Sequence, residues 1–115
     1  MSENIVLKKS KTFAVRIIRL YQFLEDNKRG FVLAKQLLRS GTSIGANVRE
    51  GHNAQSKKEF ISKMNIALKE AAESEYWLEL LYETNYLTEP EFDSIMTDCQ
   101  ELNKLLISIV KTSTN

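Results

Sequence analysis

Histidine, cysteine, tryptophan and proline occur once each in this chain of 115 residues, as His52, Cys99, Trp77 and Pro90. A single histidine cannot supply the two Glu-x-x-His pairs of a carboxylate-bridged di-iron site within one chain. With one cysteine beside it, the usual Cys/His zinc sites also lack ligands. A lone cysteine cannot close an intrachain disulfide, which fits a reducing cytoplasm. One proline and four glycines leave little material for long loops. No apolar run approaches the roughly 20 residues that cross a bilayer. Residues 1–9 lack an apolar core behind a basic start, so secretion is not expected. Gly41, Gly45 and Gly51 follow no strand and do not have the spacing of a phosphate-cradling loop. No third partner or oxyanion site is marked around His52 for a Ser–His nucleophile. The expectation is a non-enzymatic chain without metal or cofactor, cytoplasmic and free of the membrane.

What is present is the composition of an ordinary globular domain. The chain is 43% hydrophobic and 27% charged, which suits one folded domain over 1–115 and not a disordered segment. The net charge of +1 conceals an asymmetry. Residues 1–56 carry ten Lys and Arg against four Asp and Glu, a net of +6, whereas residues 57–115 carry six against eleven, a net of −5. Such a division implies a basic face for an anionic partner, or complementary surfaces within an assembly.

Periodicity predicts four helices and no strand. Phe13, Ile17, Leu20 and Leu24 place one apolar stripe on a helix over 4–26, widened by Ile18 and Tyr21. A polar connection over 27–30 follows, with Gly30 available for a left-handed turn. The second helix is expected over 31–52 on Leu33, Leu37, Ile44 and Val48. It contains an unusual run of glycines and small polar residues over 40–51. The alternative is a helix ending near Ser40, a loop and a short helix. The apolar phase does not slip across Gly41, which favours one continuous helix. Each interior glycine costs roughly 0.8–1.0 kcal/mol relative to alanine, so close packing is the expected compensation. Ser56 with Glu59 and Thr88 with Glu91 both fit capping boxes, Pro90 standing in the first turn after the second. They open a third helix carrying Phe60, Met64, Ala67, Ala71, Leu78 and Leu81 to near residue 85. A fourth follows with Phe92, Ile95, Cys99, Leu102, Leu106 and Ile109. Four such helices on short connections predict an all-α, antiparallel up-down-up-down bundle.

Particular residues then point to a family. Gln36-Leu37-Leu38-Arg39-Ser40, Ser43-Ile44-Gly45-Ala46-Asn47-Val48 and Glu50-Gly51 resemble the four-helix bundle proteins that include those encoded in intervening sequences of bacterial large-subunit ribosomal RNA genes. Lys9-Ser10 and Phe13-Ala14 extend the resemblance upstream. Ser56, Glu59-Phe60, Ile66-Ala67-Leu68-Lys69-Glu70-Ala71, Glu73 and Tyr76-Trp77-Leu78 extend it downstream. The accessory variability determinant of diversity-generating retroelements looks like a relative. The resemblance implies an antiparallel four-helix subunit assembled as a ring-like homo-oligomer, commonly a pentamer, with a basic surface. By the same resemblance the implied partners are RNA or DNA and a reverse transcriptase or other protein.

Three groups of residues are candidates for function. Lys8, Lys9, Arg16 and Arg19 fall within about a 100° arc of the first helix. Lys35, Arg39 and Arg49 share the outward side of the second, and Lys11, Lys28 and Arg29 lie near in sequence. Together they form a candidate nucleic-acid surface, though a solvated helix face has the same pattern. No signature of stacked aromatics accompanies them, and the sequence pI of 7.8 is modest. The second group is the ridge of Ser40, Ser43, Asn47 and Glu50 beside Gly41 and Gly45. Its expected role is close helix or subunit packing, with Arg39 or Arg49 pairing to an acid such as Glu73. The third is Tyr76, Trp77 and Leu80, within a stretch whose apolar residues surround the helix. A second subunit is the expected cover.

Overall fold

The computed structural model describes residues 2–27 and 30–114, with side chains from residue 5 onward. Helix α1 spans Ser2–Asp26, α2 Phe31–His52, α3 Lys57–Glu83 and α4 Glu89–Ser113. No strand occurs among the described residues.

Local chemistry sets the ends of these helices. Gly30 takes φ 57°, the left-handed turn that lets the chain reverse into α2. The Ser56 hydroxyl accepts the Glu59 N–H at 3.1 Å and opens α3. The Glu59 carboxylate accepts from the N–H of Gln55, one residue upstream of the position a capping box would use. At α4 the box is complete: the Glu91 N–H donates to Thr88 Oγ1, and the Thr88 N–H to Glu91 Oε1 at 2.8 Å. Helix α3 ends in a Schellman motif. Asn85 adopts φ 69°, its N–H donates to the Tyr82 carbonyl, and the Tyr86 N–H donates to the Leu81 carbonyl.

Cross-helix pairs fix the antiparallel order. Gly45 lies against Ser10 and Gly41 against Ile17, which sets α2 alongside α1. Ser40 meets Ser74, and Gly51 meets Met64, which sets α3 against α2. Tyr82 stacks on Phe92, while Asn103 donates to Glu75, which sets α4 against α3. Arg16 reaches Asp98 and closes α4 on α1. Each helix therefore packs on its neighbours in sequence and α1 on α4, giving a rod of 44 × 20 × 19 Å.

The core follows the apolar stripes. Phe13, Ile17 and Leu24 from α1, Leu37, Ile44 and Val48 from α2, Leu78 and Leu81 from α3, and Leu102 and Leu106 from α4 are all buried. At its margins the pattern overreached: Leu20, Leu33, Phe60 and Phe92 are half-buried, and Ile18 is exposed.

Helix α2 runs unbroken through its glycines, and α1 is the reason for two of them, Gly41 and Gly45. A Cβ on Gly41 would lie 2.8 Å from Ile17 Cγ1, and one on Gly45 3.3 Å from the Ser10 carbonyl oxygen. The glycine flank thus draws α1 onto α2. The α1–α4 seam, which has no such flank, is the least extensively packed of the four.

Candidate nucleic-acid interface

The positions of the cations follow from helix phase. Lys9 and Arg16 lie on the edge of α1 that faces α4. Lys9 pairs with Glu101. The Arg16 guanidinium donates to Asp98 at 2.6 Å, to Ser94 Oγ at 2.8 Å and to the Ser94 carbonyl at 3.2 Å. Arg39 leans from α2 toward α3, where it donates to Glu73 at 2.5 Å and lies 3.9 Å from Glu70. These three of the candidate cations are therefore committed to carboxylates of the acidic half.

Lys8, Lys11, Arg19, Lys35 and Arg49 are exposed, and none has a carboxylate partner among the described residues. Lys11 and Arg49 flank one groove between α1 and α2, floored by Leu7, Ala14, Thr42, Gly45 and Ala46. Lys28 and Arg29 lie outside the described residues.

The structure also assembles something the sequence pattern did not reveal. Tyr21 of α1 and Phe31 of α2 stand ten residues apart, yet their ring centroids lie 6.2 Å apart at the seam of these helices. The Lys35 ammonium sits 4.8 Å from the Phe31 ring centroid, a cation–π distance. Phe31 is 41% exposed. An aromatic pair beside a cation is thus present on the basic face. Its only sequence signal was that both rings flank a tight reversal at Gly30. The Tyr21 hydroxyl is pushed up from its ordinary pKa, first by partial burial and then by Glu25, to which it donates at 3.3 Å.

The polar ridge divides between two tasks. Ser40 is fully buried, and its hydroxyl lies 2.9 Å from that of Ser74 on α3. Ser43 donates to the Arg39 carbonyl and Asn47 to the Ser43 carbonyl, so both cap their own helix backbone. Glu50 takes the Lys63 ammonium at 2.8 Å, and that contact raises the lysine pKa.

On α3, Tyr76 is 55% exposed, whereas Trp77 is half-buried with its indole N–H donating to Glu73 at 2.9 Å. Leu80 is also half-buried. The two rings meet edge-on, with centroids 5.2 Å apart. Arg39, Glu73 and Trp77 therefore form one polar chain along the α2–α3 seam, next to an aromatic face open to solvent.

Cys99 is buried in the core, its Sγ 3.6 Å from the Ala71 carbonyl. Burial first, with Glu75 and Asp98 adding to it, pushes its thiol up to about 12. Among the described residues no group of His, Cys, Asp and Glu is arranged to hold a metal ion, and no helix is long and apolar enough to cross a membrane.

Comparison with known proteins places this geometry. The chain superposes with a TM-score of 0.94 on a crystal structure of a protein with unknown function from the S23 ribosomal protein family of Bacteroides thetaiotaomicron VPI-5482. The two are 59% identical, over 96% of this chain and 99% of the other. No curated protein matches the chain. Residues 2–108 match the 23S rRNA-intervening sequence protein family, and the chain belongs to that family.

Proposed function

We propose that this protein is a cytoplasmic, non-enzymatic binder of RNA or DNA that works as a ring-like homo-oligomer, a pentamer by family resemblance. The observation that carries the nucleic-acid reading is the division of the cations. Three are spent on α3 and α4, while five on α1 and α2 are exposed with no carboxylate partner among the described residues. Phosphates would displace counterions from those five without first breaking an internal ion pair. The exposed Tyr76 face and the opposite charges of the two halves support self-assembly.

The test is binding of short duplexes and single strands across a salt series. With five cations engaged per subunit, log K against log salt should fall with a slope of about −4.5 on duplex or about −3.5 on single strands. Replacing Lys8, Lys11, Arg19, Lys35 and Arg49 by Gln should abolish binding and leave helicity intact. Glu at Lys9 or Arg16 is a poorer probe, because it would set carboxylate against Glu101 or Asp98. No binding at low salt overturns the reading. A mass measurement in solution tests the ring.

A second reading, an adaptor for a reverse transcriptase or other protein with no nucleic-acid role, rests on Tyr76, Trp77 and Leu80. It predicts a protein partner that survives nuclease treatment and is lost in Tyr76→Ser.

A further inference from the structure

We infer that the nucleic acid taken by the α1–α2 face is single-stranded, with an unstacked base on Phe31 and the backbone running toward the Lys11–Arg49 groove. This rests on the basic-face reading above and sharpens it. Two features of the face go beyond its charge. The first is the Phe31 ring, 41% exposed, with Tyr21 at 6.2 Å and the Lys35 ammonium over the ring at 4.8 Å. A base that stacks on the ring takes the place of the flexible lysine and frees its ammonium for a phosphate, which makes the ring a stacking platform. Every base has a π-face to offer it, but only if the base is not already enclosed in a duplex.

The second feature lies between the platform and the groove. Val15 and Ile18 are 42% and 39% exposed on the outer side of α1. They stand four and seven residues beyond Lys11 and so form one ridge with it. Aliphatic side chains among unpaired cations suit bases turned toward the protein and gain nothing from the charged outside of a duplex. From Lys11 to Tyr21 the helix rises about 15 Å. That distance spans about four nucleotides at the stacked spacing of roughly 3.4 Å. At the far end Lys11 and Arg49 face each other across a floor that includes Gly45 and Ala46. The small side chains there let a phosphate settle between the two cations.

Anisotropy with a labelled oligothymidylate, the matching oligouridylate and a blunt duplex of equal length tests the inference. Either single strand should bind more tightly than the duplex at equal salt. Phe31→Ala should weaken single-strand binding about tenfold, a typical stacking loss, with an unchanged salt slope. Phe31→Tyr keeps a ring and should keep the affinity. Lys11→Gln with Arg49→Gln should make the slope shallower by about 0.7 for each cation removed. Equal binding of duplex and single strand, or a full affinity in Phe31→Ala, overturns the inference and leaves the basic-face reading standing. An equal loss in Phe31→Tyr overturns it likewise, because the ring would then be structural. No binding of any strand at low salt, or capture only by anionic phosphatidylglycerol vesicles, overturns both.

Discussion

Gly41 and Ile17 approach so closely that a methyl group on the glycine would stand 2.8 Å from Ile17 Cγ1 and 3.3 Å from its Cβ. Ile17 is fully buried and branched next to its backbone, so it has nowhere to retreat. Gly41→Ala would gain roughly 0.8–1.0 kcal/mol of helix propensity. Overpacking a filled core costs about 1–3 kcal/mol, so we expect a net loss near 1 kcal/mol and a Tm lower by several degrees by circular dichroism. Gly51→Ala should cost less. There the nearest atom is the Met64 methyl at 2.4 Å, the far end of a flexible side chain. A Gly41→Ala variant more stable than the parent would refute the idea that this contact sets the α1–α2 spacing.

Ser40 and Ser74 satisfy one another inside the α2–α3 seam. Truncating Ser74 leaves the Ser40 hydroxyl only the Leu37 carbonyl at 3.4 Å. Ser74→Ala should cost about 1–2 kcal/mol, since the buried Ser40 hydroxyl loses its good partner. Ser40→Ala should cost less, since the Ser74 hydroxyl still donates to the Glu70 carbonyl at 2.9 Å. The double change should cost little more than Ser74→Ala alone. Urea titration of the four proteins reads the coupling, and simple additivity of the two losses would argue against it.

Glu73 joins Arg39 to the Trp77 indole. The ion pair is open to water, with 56% of the Arg39 and 34% of the Glu73 side chain exposed. It should therefore contribute less than about 1 kcal/mol. Its effect on Trp77 is more direct. Glu73→Leu should move the emission of the sole tryptophan while changing the denaturation midpoint little. An unchanged spectrum would mean that the indole N–H does not depend on this carboxylate.

Asp98 and Glu101 hold two cations that would otherwise join the basic face. Asp98→Asn with Glu101→Gln should free Arg16 and Lys9. On single strands the salt slope should then steepen by up to about 0.7 per released cation. An unchanged slope would show that these two side chains do not reach the bound phosphates.

Cys99 carries a pH dependence whose sign follows from its raised thiol pKa. The native state holds the thiol proton more tightly than the unfolded chain does. The associated stability is complete below the ordinary value of 9.0 and is lost as pH rises toward about 12. Cys99→Ala should flatten the decline in stability across that window. In the folded parent at pH 8, a thiol reagent should react only as fast as the chain opens. Rapid modification without unfolding would contradict the burial of this side chain.

Much of the fold was legible because helices announce themselves locally. The bounds of α2 and the caps at Ser56 and Thr88 depend on residues three or four positions apart. The apolar phase across Gly41 likewise showed an unbroken helix. The candidate site was legible only as a list of charges. Lys9 and Lys8 are adjacent in sequence, yet one is bound to Glu101 and the other is not. Nothing local distinguishes them, because their fates depend on which flank α4 occupies. The Tyr21–Phe31 pair was missed for the same reason: its geometry belongs to the turn at Gly30 and to the closeness of two helices.

By itself the sequence determined four amphipathic helices, their ends to within about two residues, and a basic half followed by an acidic one. Those properties reside in 3.6-residue periodicity, in caps and in composition, all of which act over a few residues. The tertiary structure alone decided that Gly41 and Gly45 serve α1, that Ser40 answers Ser74, and that five of the candidate cations have no carboxylate partner among the described residues, one of them standing over an exposed ring. Each of these is a meeting of residues on different helices. Their relative rotation is set by how the side chains of all four fill one core.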